Sequence, residues 1–277
     1  MLAKGAKRMR TGISSACYYP METERALEHC GRLGFRNLEL FINCGSEMHG
    51  EHFDRVIRVI REYDFQIGSL HPYTSFLESY MLFGPYERRV GELIDFYRHY
   101  FDFCNVIGAD KLVFHGGSTD AFADNEVYFD RYAQLHRAAQ AFGVKLTHEN
   151  VVKKRSQSPR FMKALADYIG PDFAMTLDIK QCRRAGEDPY EFIRLLGKQI
   201  VNVHISDVRG GQDCAVPFTG SFAFEPFVQA LHQVGYRGNY IIELYRDCYG
   251  HEDEIQRAAR QFDELLRSTE QKSEKIG

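Results

Sequence analysis

Short runs rich in β-branched and other apolar residues recur along the chain at 10–14, 37–41, 66–71, 111–115, 145–149, 174–178, 201–205 and 240–244. Between them, at 22–33, 52–63, 87–107, 127–142, 159–169, 188–196 and 224–234, apolar residues return at i, i+3 and i+4 among charges, and a further such segment at 252–266 follows the last run. The first pattern is that of strands and the second that of amphipathic helices. Their alternation predicts a parallel sheet with helical crossovers. Several helical segments stop at glycine, as at Leu33-Gly34, Phe142-Gly143 and Val234-Gly235, which suits a helix C-terminus. Strands each followed by a helix, eight times over about 250 residues, fit a closed (β/α)8 TIM barrel of the α/β class better than an open doubly wound sheet. No Gly-x-Gly-x-x-Gly follows the first strand, so a dinucleotide-binding sheet loses its main support.

No Pro/Gly/Ser-rich linker or change of composition divides the chain. A single domain over 1–277 is expected, with an ordered core at about 10–266 and polar termini, 1–7 and 268–277, that fray. The 35 Lys plus Arg against 38 Asp plus Glu leave a net charge of -3 with His neutral, which disfavours a nucleic-acid partner. No run reaches the roughly 18 apolar residues of a membrane span, and the basic opening is not followed by a signal-peptide apolar core, so a cytoplasmic protein without membrane contact is expected. The seven cysteines are scattered without a CxxC pair and read as reduced, mostly core thiols.

The candidate chemistry lies at the strand ends. His71, His115, Glu149 and Asp178 close four of the runs, Glu243 stands at the end of the eighth beside Leu244, and His204 lies in the seventh. In a barrel the carboxyl ends of all strands converge on one face, so these residues should ring one pocket. Each alone has a bland reading, since a strand-end Asp commonly caps the next helix and a lone His or Glu is commonly hydrogen-bonded or solvated. Three carboxylates in one pocket would repel one another and carry a large desolvation cost without a cation. A divalent ion removes that conflict, and oxygen-rich ligation with one imidazole suits Mn²⁺, Mg²⁺ or Co²⁺ and tolerates Zn²⁺.

Thr147-His148-Glu149-Asn150, Thr176-Leu177-Asp178, Asn202-Val203-His204-Ile205-Ser206-Asp207 and Ile241-Ile242-Glu243 resemble strands five to eight of the xylose isomerase-like barrels. That group holds sugar (phosphate) isomerases and epimerases and the endonuclease IV fold, and the resemblance spans roughly residues 10–266. Its ketose 3-epimerase branch implies that Glu149, Asp178, His204 and Glu243 hold one divalent ion, with Glu149 and Glu243 also the acid/base pair. The position of that branch's substrate-contacting His, three residues past the strand-six Asp, is Gln181 here, and the position of its loop Arg is Gly210, with Arg209 beside it. His71 and His115 match endonuclease IV-like metal ligands, but the Asp-x-His expected after strand seven does not occur between Asp207 and Phe224. His71, His115, Gln181 and Arg209 are therefore expected to bind substrate, not further ions.

The function implied is isomerisation or epimerisation of a sugar, sugar phosphate or related polyol through proton transfer and an enediolate, with the metal stabilising the charge that develops. A dehydratase or hydrolase on the same barrel is the alternative, and a DNA-repair nuclease the less favoured one. Lys153, Lys154, Arg155, Lys180, Arg183, Arg184, Arg209 and Arg246 follow strands five to eight and suggest an anionic substrate, or else a solvated loop surface with salt bridges. Gly116-Gly117 and Gly210-Gly211 could admit a phosphate, and Glu39 reads either as an interior acid or as a partner of an Arg. The oligomeric state is left open, a homo-oligomer included.

Overall fold

Eight parallel strands close on themselves in a computed structural model that describes residues 11–274. They are β1 (Thr11–Ser14), β2 (Asn37–Ile42), β3 (Gln66–Pro72), β4 (Lys111–Phe114), β5 (Lys145–Glu149), β6 (Ala174–Asp178), β7 (Ile200–Ile205) and, after a two-stranded hairpin, β10 (Tyr240–Ile242). Around the barrel they run β1-β10-β7-β6-β5-β4-β3-β2 and back to β1, each pair parallel. This is the (β/α)8 TIM barrel. Arg10, placed in the first strand by the sequence pattern, and residues 1–7 lie outside the described residues.

The outer layer is α1 (Thr23–Arg32), α2 (Gly50–Glu62), α3 (Ser75–Leu77), α4 (Arg88–Ile107), α5 (Asn125–Ala141), α6 (Pro159–Ile169), α7 (Ile179–Ala185), α8 (Pro189–Leu196), α9 (Phe224–Gln233) and α10 (Glu252–Glu274). Local chemistry sets the starts. Asp124, Ser158 and Asp188 accept from the first-turn amides of α5, α6 and α8, and Pro159 and Pro189 open the last two, where their missing N–H costs nothing.

Along a strand, neighbours point to opposite faces. On β5, His148 packs outward against Phe114 and Tyr132 and pairs with the Tyr128 hydroxyl at 2.9 Å, while Thr147 and Glu149 face the barrel interior. Burial, only partly opposed by Glu149, pushes the His148 imidazole down to about 3, so it is a neutral packing residue.

Three features depart from the sequence pattern. The 268–274 stretch, expected to fray, continues α10, because Ser268 and Thr269 hydroxyls bond back to the Leu265 carbonyl and Lys272 Nζ reaches Glu225 at 2.8 Å. Helix α7 and the antiparallel hairpin of β8 (Asp207–Arg209) and β9 (Gln212–Ala215) were not anticipated. The third is the loop after β3, where α3 runs into a π-helical turn, Glu78–Leu82. Among the described residues no helix is long and apolar enough to cross a membrane.

Candidate metal centre at the carboxyl end of the barrel

Glu149 ends β5, Asp178 ends β6, His204 lies one residue before the end of β7 and Glu243 directly follows β10, its amide still bonded to the Ile205 carbonyl. One donor atom from each of the four lies within 4.8 Å of the others. His204 Nδ1 is 3.3 Å from Glu149 Oε1, 3.5 Å from Glu243 Oε2 and 3.9 Å from Asp178 Oδ2. Donors around an ion bound at about 2.1 Å stand roughly 3.0–3.4 Å apart, so a small contraction would complete a coordination shell.

Asp178 and His204 each have their other end occupied. Asp178 Oδ1 accepts from the amides of Lys180 at 2.6 Å and Gln181 at 3.1 Å, capping α7, which leaves Oδ2 aimed at the cluster. The capping reading of this residue is met by Oδ1, and Oδ2 stays turned toward the cluster. His204 Nε2 meets Glu39 Oε2 at 3.0 Å, which fixes a proton on Nε2 and turns Nδ1 toward the carboxylates; against burial, Glu39 and Glu243 hold the imidazole well above its usual range, so without an ion Nδ1 is protonated too, and a cation seated there would displace that proton. Glu39, wholly buried on β2, also accepts from Ser69 Oγ at 2.7 Å and Asn202 Nδ2 at 3.0 Å and faces His71 Nδ1 at 3.2 Å. It is the interior acid of the two readings, with imidazoles and not Arg as partners.

His204 Nδ1, Asp178 Oδ2 and Glu149 Oε2 are buried and make no hydrogen bond. Orphaned buried polar atoms are rare, and two of these, His204 Nδ1 and Asp178 Oδ2, lie in the cluster beside Glu149 Oε1 and Glu243 Oε2, an arrangement that fits a cation. The charge states agree with that demand. Burial pushes the Glu149 and Glu243 carboxyls up, yet His115 and His204 around the first, and Lys180 and His204 around the second, hold both well below the usual range. Burial, with Glu149 and Glu243 beside it, lifts Asp178 to about 6 against the pull of Lys180. Glu39 is likewise opposed by burial but held down to about 2 by His204 and His71.

A cavity of about 280 Å³ opens above these residues. His71, His115, Glu149, Lys180, Gln181 and Glu243 form its floor, and Tyr19, Phe41, Tyr73 and Tyr245 stand on its walls. His71 and His115 face each other through their Nε2 atoms at 2.8 Å, so one donates and the other accepts. His115 Nε2 is also 2.9 Å from Glu149 Oε2, out of hydrogen-bond alignment, and His71, His115 and Glu149 form a second group whose donor atoms lie within 4.8 Å. A larger cavity, about 510 Å³, lies at the opposite end, where Lys111 and Lys145 begin their strands. Barrel chemistry belongs to the carboxyl ends, so the smaller pocket is the candidate.

Gln181 reaches the pocket, its Oε1 accepting from the Val152 amide at 3.2 Å. Arg209 does not, being exposed on the β8–β9 hairpin. Most of the loop cations expected to meet an anion are engaged within the protein. Arg155 bonds Asn125 and the carbonyls of Ala121 and Ala123, Arg183 the carbonyls of Asp207 and Asp213, Arg184 the Asp213 carboxylate and Lys154 the Ser79 hydroxyl. Gly210 and Gly211 both have positive φ and turn the hairpin between Arg209 and Gln212, a two-residue connection that demands such residues. The cation that does face the pocket is Lys180, which sequence reasoning placed only among loop cations. Its one available signal was position, two residues past a strand-end carboxylate.

A family profile described as xylose isomerase-like TIM barrel matches residues 27–267. An uncharacterised protein of Mycobacterium leprae (strain TN) is 25% identical over 258 residues, which cover 85% of this chain and 89% of the relative. Among solved structures, an L-ribulose 3-epimerase superposes with a TM-score of 0.79 at 17% identity, covering 97% of this chain and 98% of that one. The probable 3-DHS dehydratase involved in petrobactin synthesis from Bacillus anthracis superposes with a TM-score of 0.72 at 12% identity, covering 92% and 99%. At such identities the superpositions speak for the fold, whereas the profile spans most of the chain: it belongs to the xylose isomerase-like TIM barrel family.

Proposed function

We propose that this protein is a divalent-metal-dependent isomerase or epimerase that moves a proton on a carbon next to a carbonyl of a sugar, sugar phosphate or related polyol. The observation that carries the reading is the meeting of Glu149, Asp178, His204 and Glu243 under a pocket, with buried atoms on three of them that make no hydrogen bond. A divalent ion held by these four would supply the charge that stabilises the oxyanion formed when the proton leaves carbon.

The chain's own groups do the remainder. Glu149 and Glu243 both reach the pocket floor, from strands separated by β6 and β7 in the barrel wall. That separation lets one carboxylate take a proton from one side of a substrate and the other return it from the opposite side, which is epimerisation; transfer between adjacent carbons on one side is isomerisation. His71 and His115 present imidazole edges to the same space and would hold substrate oxygens, with Gln181 beside them.

A dehydratase is the second reading, favoured by the dehydratase among the structural relatives, because the same proton abstraction followed by loss of a β-hydroxyl is elimination. One experiment separates them. The Mn²⁺-loaded protein is incubated with a panel of ketoses and their phosphates in heavy water and followed by NMR. Deuterium entering at one carbon of a substrate supports the proposal. Formation of an unsaturated product moves the assignment to dehydratase, and inertness toward the whole panel overturns the sugar reading.

A further inference from the structure

Lys180 is the second residue of α7, and its side chain doubles back toward the strand end it has just left. It is 2% exposed. Its Nζ lies 2.8 Å from Glu243 Oε2 and 3.3 Å from Asp178 Oδ2, and 5.0 Å from the centre of the Tyr245 ring. Those two oxygens are the same atoms that face His204 Nδ1 at 3.5 and 3.9 Å in the ligand cluster. Half of the donor set proposed for a divalent ion is therefore already in contact with a built-in cation.

A carboxylate oxygen has lone pairs for two partners, so an ammonium and a metal ion can share it. They then lie within a few ångströms of each other with charge of the same sign. At such separations inside a protein the repulsion is only weakly screened, and the ion carries two charges. Removing that repulsion favours the ion by far more than Lys180 contributes to lining up two carboxylates that His71 and the α7 amides also hold.

We propose that Lys180 is an internal competitor for the divalent ion. Its ammonium holds Asp178 and Glu243 in place when the ion is absent and weakens the ion's binding. When the ion is seated, it keeps Glu243 and turns an N–H toward the substrate. The metal centre is thus pre-assembled and its ion exchangeable. Lys180 is a positioning residue for Glu243, and the inference rests on the four-residue ligand set proposed above.

Mn²⁺ alone is the probe, titrated by calorimetry into the full chain. Lys180→Met and Lys180→Gln should each bind Mn²⁺ at least tenfold more tightly than wild type, with the amide variant carrying the test if the methionine variant does not fold. Lys180→Arg, which keeps the charge, should show no such gain. The melting temperature of the neutral variants should drop in chelator and return to the wild-type value in Mn²⁺. Unchanged or weaker Mn²⁺ binding in both neutral variants, while Asp178→Asn still abolishes it, overturns the competitor role and leaves the ligand set standing. Wild-type Mn²⁺ binding in Asp178→Asn overturns the ligand set itself, and this inference with it.

Discussion

Glu39 and His204, 165 positions apart in sequence, meet at 3.0 Å between Oε2 and Nε2 inside the barrel. A carboxylate only accepts, so this contact dictates which nitrogen of His204 carries the proton and which faces the carboxylate cluster. Glu39→Gln should break that instruction, since an amide offers one acceptor oxygen where Ser69, Asn202, His71 and His204 all converge. Mn²⁺ affinity measured by calorimetry should fall by roughly 10–100-fold, the usual consequence of losing a carboxylate behind a ligating histidine. Undiminished affinity would show that the His204 ring is oriented by packing alone.

Among the four proposed ligands, Asp178→Asn is the most informative change. Asn is as good a helix N-cap as Asp, so α7 keeps its start while Oδ2 is replaced by a poor ligand. Wild-type protein at a Mn²⁺ concentration of 100 Kd should gain about 2.7 kcal/mol of stability, read as a rise in Tm. Asp178→Asn, Glu149→Gln, Glu243→Gln and His204→Ala should each lose most of that rise. A full rise retained in any two of them would rule out this centre.

His71 and His115 test how many ions the pocket holds. Their side chains with Glu149 form a second group of donors in reach of one another, yet their Nε2 atoms already satisfy each other at 2.8 Å. Elemental analysis is expected to give about one tightly held divalent ion per chain, in line with a single closed oxygen-rich site. Changing both histidines to Ala should leave that ion in place and impair turnover. Two or three ions per chain, reduced by the double change and accompanied by cleavage of abasic DNA, would instead favour a nuclease.

The strands, and the carboxylates that end them, were legible because a strand's apolar run is contiguous and its last residue is fixed by the fold class. The partners that make those carboxylates a site were not. Glu39 lies far in sequence from His204 and Lys180 from Glu243, and only its place two residues past Asp178 sets Lys180 apart from the exposed Lys153. Helix α7 is a single seven-residue element whose side chains, Ile-Lys-Gln-Cys-Arg-Arg-Ala, show no apolar period; its Asp178 cap makes it. The loop cations read as anion binders because sequence shows a charge but not whether carbonyls such as those of Asp207 and Ala123 already occupy it.

Glu78 gives the protein a pH-dependent stability apart from the metal centre. It is wholly buried in the turn after β3, accepting from the Tyr97 hydroxyl and the Gly116 amide, with Lys154 and His71 the nearest charges. Burial outweighs these and pushes its carboxyl up to about 8. Unfolded, it would titrate near the ordinary value of about 4.3. Its contribution is therefore whole below pH 4 and is lost as the pH rises toward 8, because the unfolded chain ionises first. Glutamine keeps one oxygen to accept from the Gly116 amide and, like the protonated acid, can donate to the Tyr97 oxygen, so Glu78→Gln should be close to neutral at pH 5 and stabilising at pH 8. Urea denaturation at both values checks this; equal effects at the two would mean that Glu78 is ionised in the native state throughout.

Gly116 decides between a packing and a ligand-binding account of the Gly116-Gly117 pair. It has a φ of +83°, and a Cβ there would stand 2.2 Å from the Tyr128 hydroxyl and 2.5 Å from His148 Cε1. Neither neighbour can retreat. Tyr128 is stacked on Phe83 at 3.8 Å and bonded to His148, and His148 lies against Phe114 and Tyr132. The Gly116 amide is at the same time given to Glu78, and the Gly117 amide to the Tyr128 hydroxyl at 3.1 Å, so neither N–H is left for a phosphate. Gly116→Ala combines left-handed backbone strain with overpacking and should cost about 3 kcal/mol or more, measurable by urea denaturation without any ligand. The change also pushes on His115, whose Nε2 sits 2.9 Å from Glu149, so catalytic loss should accompany the loss of stability. Full stability together with weakened binding of a phosphorylated sugar would mean that the pair serves the ligand, and that the contacts around Tyr128 yield more easily than their packing implies.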